Sequence, residues 1–216
     1  MIDILSKTDL FREMTDMDIK NILGCLGSRK HFYEKGQYIF MEGDKNHKVG
    51  IILSGKVQII KETKNGDLIL INQLESKGIF GLSHVCAQVE RLPISIFAVE
   101  YSEILFIELN QLVQTCHNAC QFHTEMIKNA LWILAQNNLL LDKKMYYLSH
   151  KTIKERILSY LQDQEYNFDS SEFNIPYNRE QLADFLCVDR SSLSRELGNM
   201  KRENLIDYKK NWFKIK

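Results

Sequence analysis

From Leu109 to Leu148 the chain has neither glycine nor proline, and its apolar residues fall into a countable rhythm. Ile127, Leu131, Leu134, Asn138, Leu141, Met145 and Leu148 are separated by 4, 3, 4, 3, 4 and 3 residues. That alternation is the a/d seam of a heptad, with Leu131, Asn138 and Met145 at a. A second stripe, Ala130, Ile133, Leu140 and Tyr147, lies beside it. One face can therefore pair with a partner helix while the other packs on a folded domain. A length of about six turns favours a dimer helix; an ordinary core helix is the alternative. Asn138 has two readings: it fixes register and two-strandedness by pairing with its mate, or it is solvated at a frayed spot.

The texture before about residue 108 is different. Leu10, Phe11 and Met14, then Ile19, Ile22, Leu23 and Leu26, recur at helical spacings. From Lys30 onward, short apolar runs are broken by turn residues. Tyr38–Met41 precedes Glu42-Gly43-Asp44, Val49–Leu53 precedes Ser54-Gly55, and Lys56–Ile60 leads to Lys64-Asn65-Gly66-Asp67. Asn-Gly between apolar runs predicts a hairpin through a type I′ turn, whose two central residues need positive φ. Leu68–Leu74, Gly78, Gly81, Ile94–Val99 and Ile104–Ile107 complete the series. Short strands with turn signals every 8–12 residues or so predict an antiparallel barrel or roll.

Residues 149–216 form a third zone. Thr152-Ile153-Lys154-Glu155 has capping-box spacing and opens a helix through about Leu161. Residues 163–174 are polar and read as a loop, and Phe173–Tyr177 as a short edge strand. Asn178–Ile206 then fits two short helices about a tight turn. Asn178 suits the N-cap of the first, with Leu182, Ala183 and Leu186 inward. Asp189 suits the N-cap of the second, with Leu193, Leu197 and Met200 as its buried stripe. The opposite face shows Arg190, Ser191, Ser192, Ser194 and Arg195. A helix of this kind is what a DNA major groove admits, because arginine bonds guanine bidentately and serine reaches phosphate or a base edge. Asn178 and Arg179 are expected to contact DNA beside that surface. Asp207–Lys214 reads as a hairpin wing whose basic residues, Lys209 foremost, meet backbone phosphates. A polar-faced helical hairpin that meets no DNA is the bland alternative. Cys187 stands where such turns commonly have glycine, so a left-handed conformation there costs about 1 kcal/mol.

Charge bears on the DNA reading. The chain has 28 Lys+Arg and 28 Asp+Glu, which excludes binding by bulk charge. Residues 176–216 nevertheless carry nine Lys/Arg against six Asp/Glu, a net +3 that the remainder balances. The start mixes charges without a basic-then-apolar leader pattern, and no apolar run reaches the ~18–20 residues of a membrane span. Five cysteines, an odd number, read as free thiols of a reducing cytoplasm. The expectation is a cytoplasmic protein without a membrane partner.

Taken in order, these motifs resemble the Crp/Fnr family of bacterial transcription regulators. Asn178–Ile206, including Ser194-Arg195, is similar to the family's helix-turn-helix. Glu42-Gly43-Asp44, Ser54-Gly55 and Gly78-Ile79-Phe80-Gly81 resemble the glycine skeleton of its cyclic-nucleotide-binding-like roll. The resemblance implies an α+β chain in three parts. These are an antiparallel, jelly-roll-like β-roll sensor at 1–108, a central dimerisation helix at 109–148, and a winged helix-turn-helix domain at 149–216. It implies a homodimer on a palindromic double-stranded operator, with half-sites about one helical turn apart, and RNA polymerase as a partner if the protein activates. Many members place a glutamate where Ser191 stands, to accept from a cytosine N4, so the operator should differ at that base pair.

The effector does not follow from the family. Members that bind cyclic AMP use a glutamate after Phe-Gly and an Arg-Ser or Arg-Thr pair for the phosphate. Here Leu82 follows Phe80-Gly81, and the pair's positions hold Leu92 and Pro93, with Arg91 one residue off. A cyclic phosphate would lose its charge-assisted partner, so tight cyclic-AMP binding is not expected. A small organic effector is expected against Leu82, Ser83, Arg91, Leu92 and Ile94, with Asn137, Asn138 and Leu141 of the central helix; effector-independent DNA binding is the alternative. Cys116, Cys120 and His123 would share a helical face and could hold zinc or serve redox sensing, or be small buried thiols beside a solvated histidine. No cofactor is expected. His31, His47 and His84 are scattered, without the clustered ligands that a barrel-type metal oxygenase needs, so the expectation is not an enzyme.

Overall fold

The structure, a computed structural model, describes residues 1–63, 65–108 and 121–216. They form two compact units, Met1–Ala135 and Gln136–Lys216, and the division falls inside the helix Gln121–Ser149.

The first unit opens with α1 (Ile2–Leu5), a 3₁₀ turn at Asp9–Phe11, and α2 (Asp16–Cys25). A reciprocal capping box starts α2: Thr15 accepts from the Asp18 N–H, and Asp18 accepts from the Thr15 N–H. Eight strands follow: β1 (Arg29–Tyr33), β2 (Tyr38–Phe40), β3 (Lys48–Ser54), β4 (Lys56–Glu62), β5 (Leu68–Glu75), β6 (Ile79–Phe80), β7 (Ser95–Ala98) and β8 (Ser102–Glu108). A short helix, α3 (Leu82–Cys86), lies between β6 and β7. The strands form two antiparallel four-stranded sheets, ordered β1-β8-β3-β6 and β2-β7-β4-β5. This is the antiparallel roll expected from the strand pattern.

The Asn65-Gly66 hairpin is present, but its turn is not the two-residue type expected. Glu62 pairs with Leu68, which leaves five residues at the tip. The Thr63 hydroxyl accepts from the Asn65 and Asp67 N–H groups and organises a wider loop, in which Gly66 takes φ 86. Two other glycines are fixed by geometry. Gly55 has φ 87, and a Cβ there would lie 2.4 Å from the Tyr101 carbonyl; Gly81, at φ 83, caps α3 where a Cβ would lie 2.9 Å from the Lys48 carbonyl.

Two apolar clusters fill the first unit. One joins Leu10, Phe11, Ile19 and Ile22 to Val49, Ile51, Leu82, Leu105 and Ile107, and to Met126 and Ala130 of α4 (Gln121–Ser149). The other packs Ile52, Ile94, Ile96 and Ile104 around Phe40, Phe80 and Phe106, whose rings meet edge to face at 5.8–6.5 Å. Asn129 secures α4 to the N-terminal segment by donating to the carbonyls of Leu10 (3.2 Å) and Arg12 (2.8 Å).

The second unit holds α5 (Ile153–Phe168), β9 (Glu172–Asn174), α6 (Arg179–Phe185), α7 (Arg190–Arg202), β10 (Ile206–Lys209) and β11 (Trp212–Ile215). The capping box of Thr152 and Glu155 forms as the sequence suggests. The helix runs about two turns past the expected end at Leu161, to Phe168. Residues 163–168 fall in the stretch that reads as a loop by polarity, yet they are residues a solvent-facing helix tolerates, and the real stop is Asp169 at φ 47. The sheet order is β10-β11-β9, which places β9 at an edge as expected.

Among the described residues, no helix is long and apolar enough to cross a membrane.

Candidate nucleic-acid interface

The interface is built on the α6–α7 pair. Asn178 caps α6 in a third capping box: its Oδ1 accepts from the Gln181 N–H, and the Gln181 side chain accepts from the Asn178 N–H. The turn after α6 is a Schellman motif. Val188 N–H donates to the Ala183 carbonyl (3.0 Å) and Cys187 N–H to that of Asp184 (3.2 Å), with Cys187 left-handed at φ 52. This is the strained cysteine that the sequence suggests. Asp189 occupies the N-cap of α7, but its side chain makes no capping bond. Leu182, Ala183, Leu186, Leu193, Leu197 and Met200 are buried together with Ile157, Leu161 and Phe213. Arg156 reaches from α5 to the Leu186 carbonyl (3.4 Å) and braces the turn.

With Leu193, Leu197 and Met200 inward, α7 turns Arg190, Ser191, Ser194 and Arg195 to solvent, and Ser192 is half-buried. The wing is the β10–β11 hairpin, in which Lys209 pairs with Trp212 and leaves Lys210-Asn211 as its turn. Arg179, Arg190, Lys210 and Asn211, with Asn178 and Glu180, line an open cleft of about 430 Å³.

Electrostatics sort the cations of this region into four groups. Lys201 pairs with Asp207 at 2.5 Å, which holds that carboxyl below its ordinary range, and Lys214 pairs with Glu172 at 2.6 Å, which raises the ammonium above its own. Arg202 bonds the Asn199 amide and Lys216 that of Asn204. Arg179 is half-buried, its Cζ 5.0 Å from the Tyr208 ring centroid and 5.6 Å from that of Phe213, and it donates to the Lys210 carbonyl. Arg190, Arg195, Lys209 and Lys210 are exposed and have no ion pair among the described residues. These four cations, two on the helix and two on the wing, can neutralise phosphate or bond base edges. Sequence reasoning placed both groups on the surface, but it did not foresee that five of the nine cations are engaged within the domain.

The other candidate residues fall as follows. Along α4, Ile127, Leu131, Leu141 and Met145 are 37%, 62%, 59% and 69% exposed, and Leu134 and Leu148 are half-buried. Asn138 is exposed and donates to Asp142 Oδ2 at 3.3 Å. The neighbouring stripe splits: Ala130 and Ile133 join the first unit's core and Tyr147 the second's, while Leu140 is exposed. Leu82, Leu92 and Ile94 are buried, Leu82 in the helical cluster and Ile94 with the roll's phenylalanines. Ser83 is exposed, and so is Arg91, which donates to the Gly43 carbonyl at 3.0 Å. Asn137 is exposed and belongs, with Asn138 and Leu141, to the second unit. Cys116 and Cys120 lie outside the described residues. His123 is buried, and its Nδ1 has no hydrogen-bond partner among the described residues.

Comparison with known proteins agrees with this architecture. Residues 30–119 match the cyclic nucleotide-binding domain family, and residues 155–216 the Crp-like helix-turn-helix domain. The chain is 24% identical over 199 residues to the anaerobic regulatory protein of Bacillus subtilis, covering 90% of this chain and 82% of that protein. It is 28% identical over 118 residues to an HTH-type transcriptional regulator of Porphyra purpurea, a match spanning 55% of this chain and only 47% of that one. The Thermus thermophilus catabolite activator protein shares the fold, with a TM-score of 0.52 at 18% identity over 97% of this chain and 94% of that one.

Proposed function

This chain belongs to the Crp/Fnr family of DNA-binding transcription regulators, and we propose that it works as a homodimer that reads a palindromic operator under the control of a small effector other than cyclic AMP. The observation that carries the reading is the set of exposed cations Arg190, Arg195, Lys209 and Lys210, without an ion pair among the described residues, beside the exposed serines of α7. Arg195 and Ser194 read base edges, Arg190, Ser191 and Ser192 complete the α7 contact, and Lys209 and Lys210 hold backbone phosphate. The exposed apolar seam of α4 supports the dimer, since a row of leucines and a methionine over half exposed favours a partner helix. Residues 109–148 then link a sensor at 1–108 to a reader at 149–216.

Two features argue against cyclic AMP. Leu82 and Leu92 are only 4% and 2% exposed, buried hydrocarbon where a nucleotide needs polar partners. Arg91, the nearest cation in sequence, is held at the Gly43 carbonyl. The effector is therefore less polar and acts by shifting the population of DNA-competent dimers.

Selection of binding sites from a random duplex library by the full chain tests the reader. The expected product is a palindrome with half-sites about one helical turn apart. Enrichment of unrelated sequences, or of none, contradicts it. Calorimetry with cyclic AMP tests the sensor, and submicromolar affinity overturns that part.

A further inference from the structure

We propose that Arg179 is a positioning residue: it clamps the wing turn so that Lys209 and Lys210 meet the DNA backbone, and does not itself contact DNA. The inference rests on the DNA-reading function above and assigns a role within it. The β10–β11 hairpin turns in two residues, and Lys210 takes φ 55, a left-handed conformation unfavourable for a lysine. Such a turn needs support from outside the hairpin. On one flank Ile175 supplies it: its N–H donates to the Asn211 carbonyl (2.9 Å), and its carbonyl accepts from the Asn211 side-chain amide (3.3 Å). On the other flank the support is Arg179, the first residue of α6. Its guanidinium lies against the rings of Tyr208 and Phe213, a cross-strand pair of the wing, and Nη2 donates to the Lys210 carbonyl at 3.1 Å. The bonded carbonyl is that of the strained residue itself.

The chemistry requires arginine. A planar guanidinium stacks on a ring with one face while its edge donates in a fixed direction; an ammonium carries the same charge without plane or fork. If Arg179 served as a phosphate contact, lysine would replace it. If it is a clamp, lysine fails, and the loss appears at Lys209 and Lys210.

The test uses the full chain carrying Trp132→Phe, which leaves Trp212, next to the turn, as the sole tryptophan of the two. Acrylamide quenching of Trp212 reports the wing without DNA. The salt dependence of binding to the duplex that the wild type selects from a random library reports phosphate contacts. Arg179→Ala and Arg179→Lys are both expected to raise Trp212 quenching. Both should also make the log–log salt slope shallower by about 0.9 per protomer for each of Lys209 and Lys210 released. Tyr208→Leu, which leaves Arg179 in place but removes its ring, is expected to reproduce both changes, and it decides the matter if the Arg179 variants do not fold. An Arg179→Lys protein that matches the wild type in quenching and slope overturns the proposal. If the wild type selects no duplex, the DNA reading fails, and the clamp stands or falls on Trp212 quenching alone.

Discussion

The turn between α6 and α7 carries a strain that a single substitution should release. Cys187 sits at φ 52 as the C′ residue of the Schellman motif, and its side chain is exposed. Left-handed backbone costs an L-residue with a Cβ about 1–2 kcal/mol. Glycine escapes that cost but loses about 0.5–1 kcal/mol through its greater freedom in the unfolded chain. Because the thiol buries little surface, the balance for Cys187→Gly is a stabilisation of about 0.5–1 kcal/mol, with both capping bonds retained. Cys187→Ala is the control: it keeps the Cβ and the strain, so it should stay within about 0.5 kcal/mol of wild type. Equilibrium urea unfolding followed by Trp212 fluorescence in the Trp132→Phe background reads the difference. With a slope near 1.5 kcal/mol/M, the glycine midpoint should rise by roughly 0.5 M. A glycine variant no more stable than the alanine one refutes the argument that the turn is strained.

Three further outcomes are expected. Leu131→Glu and Leu141→Glu, placing a charge on the exposed α4 seam, should shift sedimentation at micromolar concentration from dimer to monomer; an unchanged dimer would show that the seam is not the interface. Gly55→Ala should destabilise by 2 kcal/mol or more, roughly, because it adds a Cβ at φ 87 that also meets the Tyr101 carbonyl; a midpoint equal to wild type would refute the close approach. Partial burial holds His84 below its ordinary value of 6.5, so the folded state favours the neutral ring. Its contribution to stability is present above pH 6.5 and erodes as pH falls from there through the lower folded value, and His84→Gln should flatten that part of the pH–stability curve.

What could be read from the sequence was what depends on local periodicity and capping. The 3–4 spacing of Leu193, Leu197 and Met200 fixed the buried face of α7 and, with it, the exposure of Arg190 and Arg195. Thr152-x-x-Glu155 and Asn178 marked two helix starts, because a cap is a contact within three residues. Ends were harder: α5 outran its buried stripe, because its last turn is exposed, Tyr166 and Phe168 included, and so carries no inward periodicity. Partnerships across the chain were invisible. Lys214 finds Glu172 across 42 positions, and Arg179 finds Lys210 across 31, so which cations remain for DNA depends on the sheet order β10-β11-β9. The effector was least legible, since Leu82 and Ile94 are set in two different cores and neither position announces its neighbours in the chain.

The central claim, that the exposed face of α7 reads DNA sequence, is tested most directly by comparing wild type with Arg195→Ala on two duplexes. One is the palindrome that the wild type selects; the other is its scrambled counterpart at the same ionic strength. Arg195→Ala should weaken binding to the palindrome by about 1–3 kcal/mol and leave the scrambled duplex little changed, so the specificity ratio falls. An equal loss on both duplexes would place Arg195 on phosphate alone and contradict the claim.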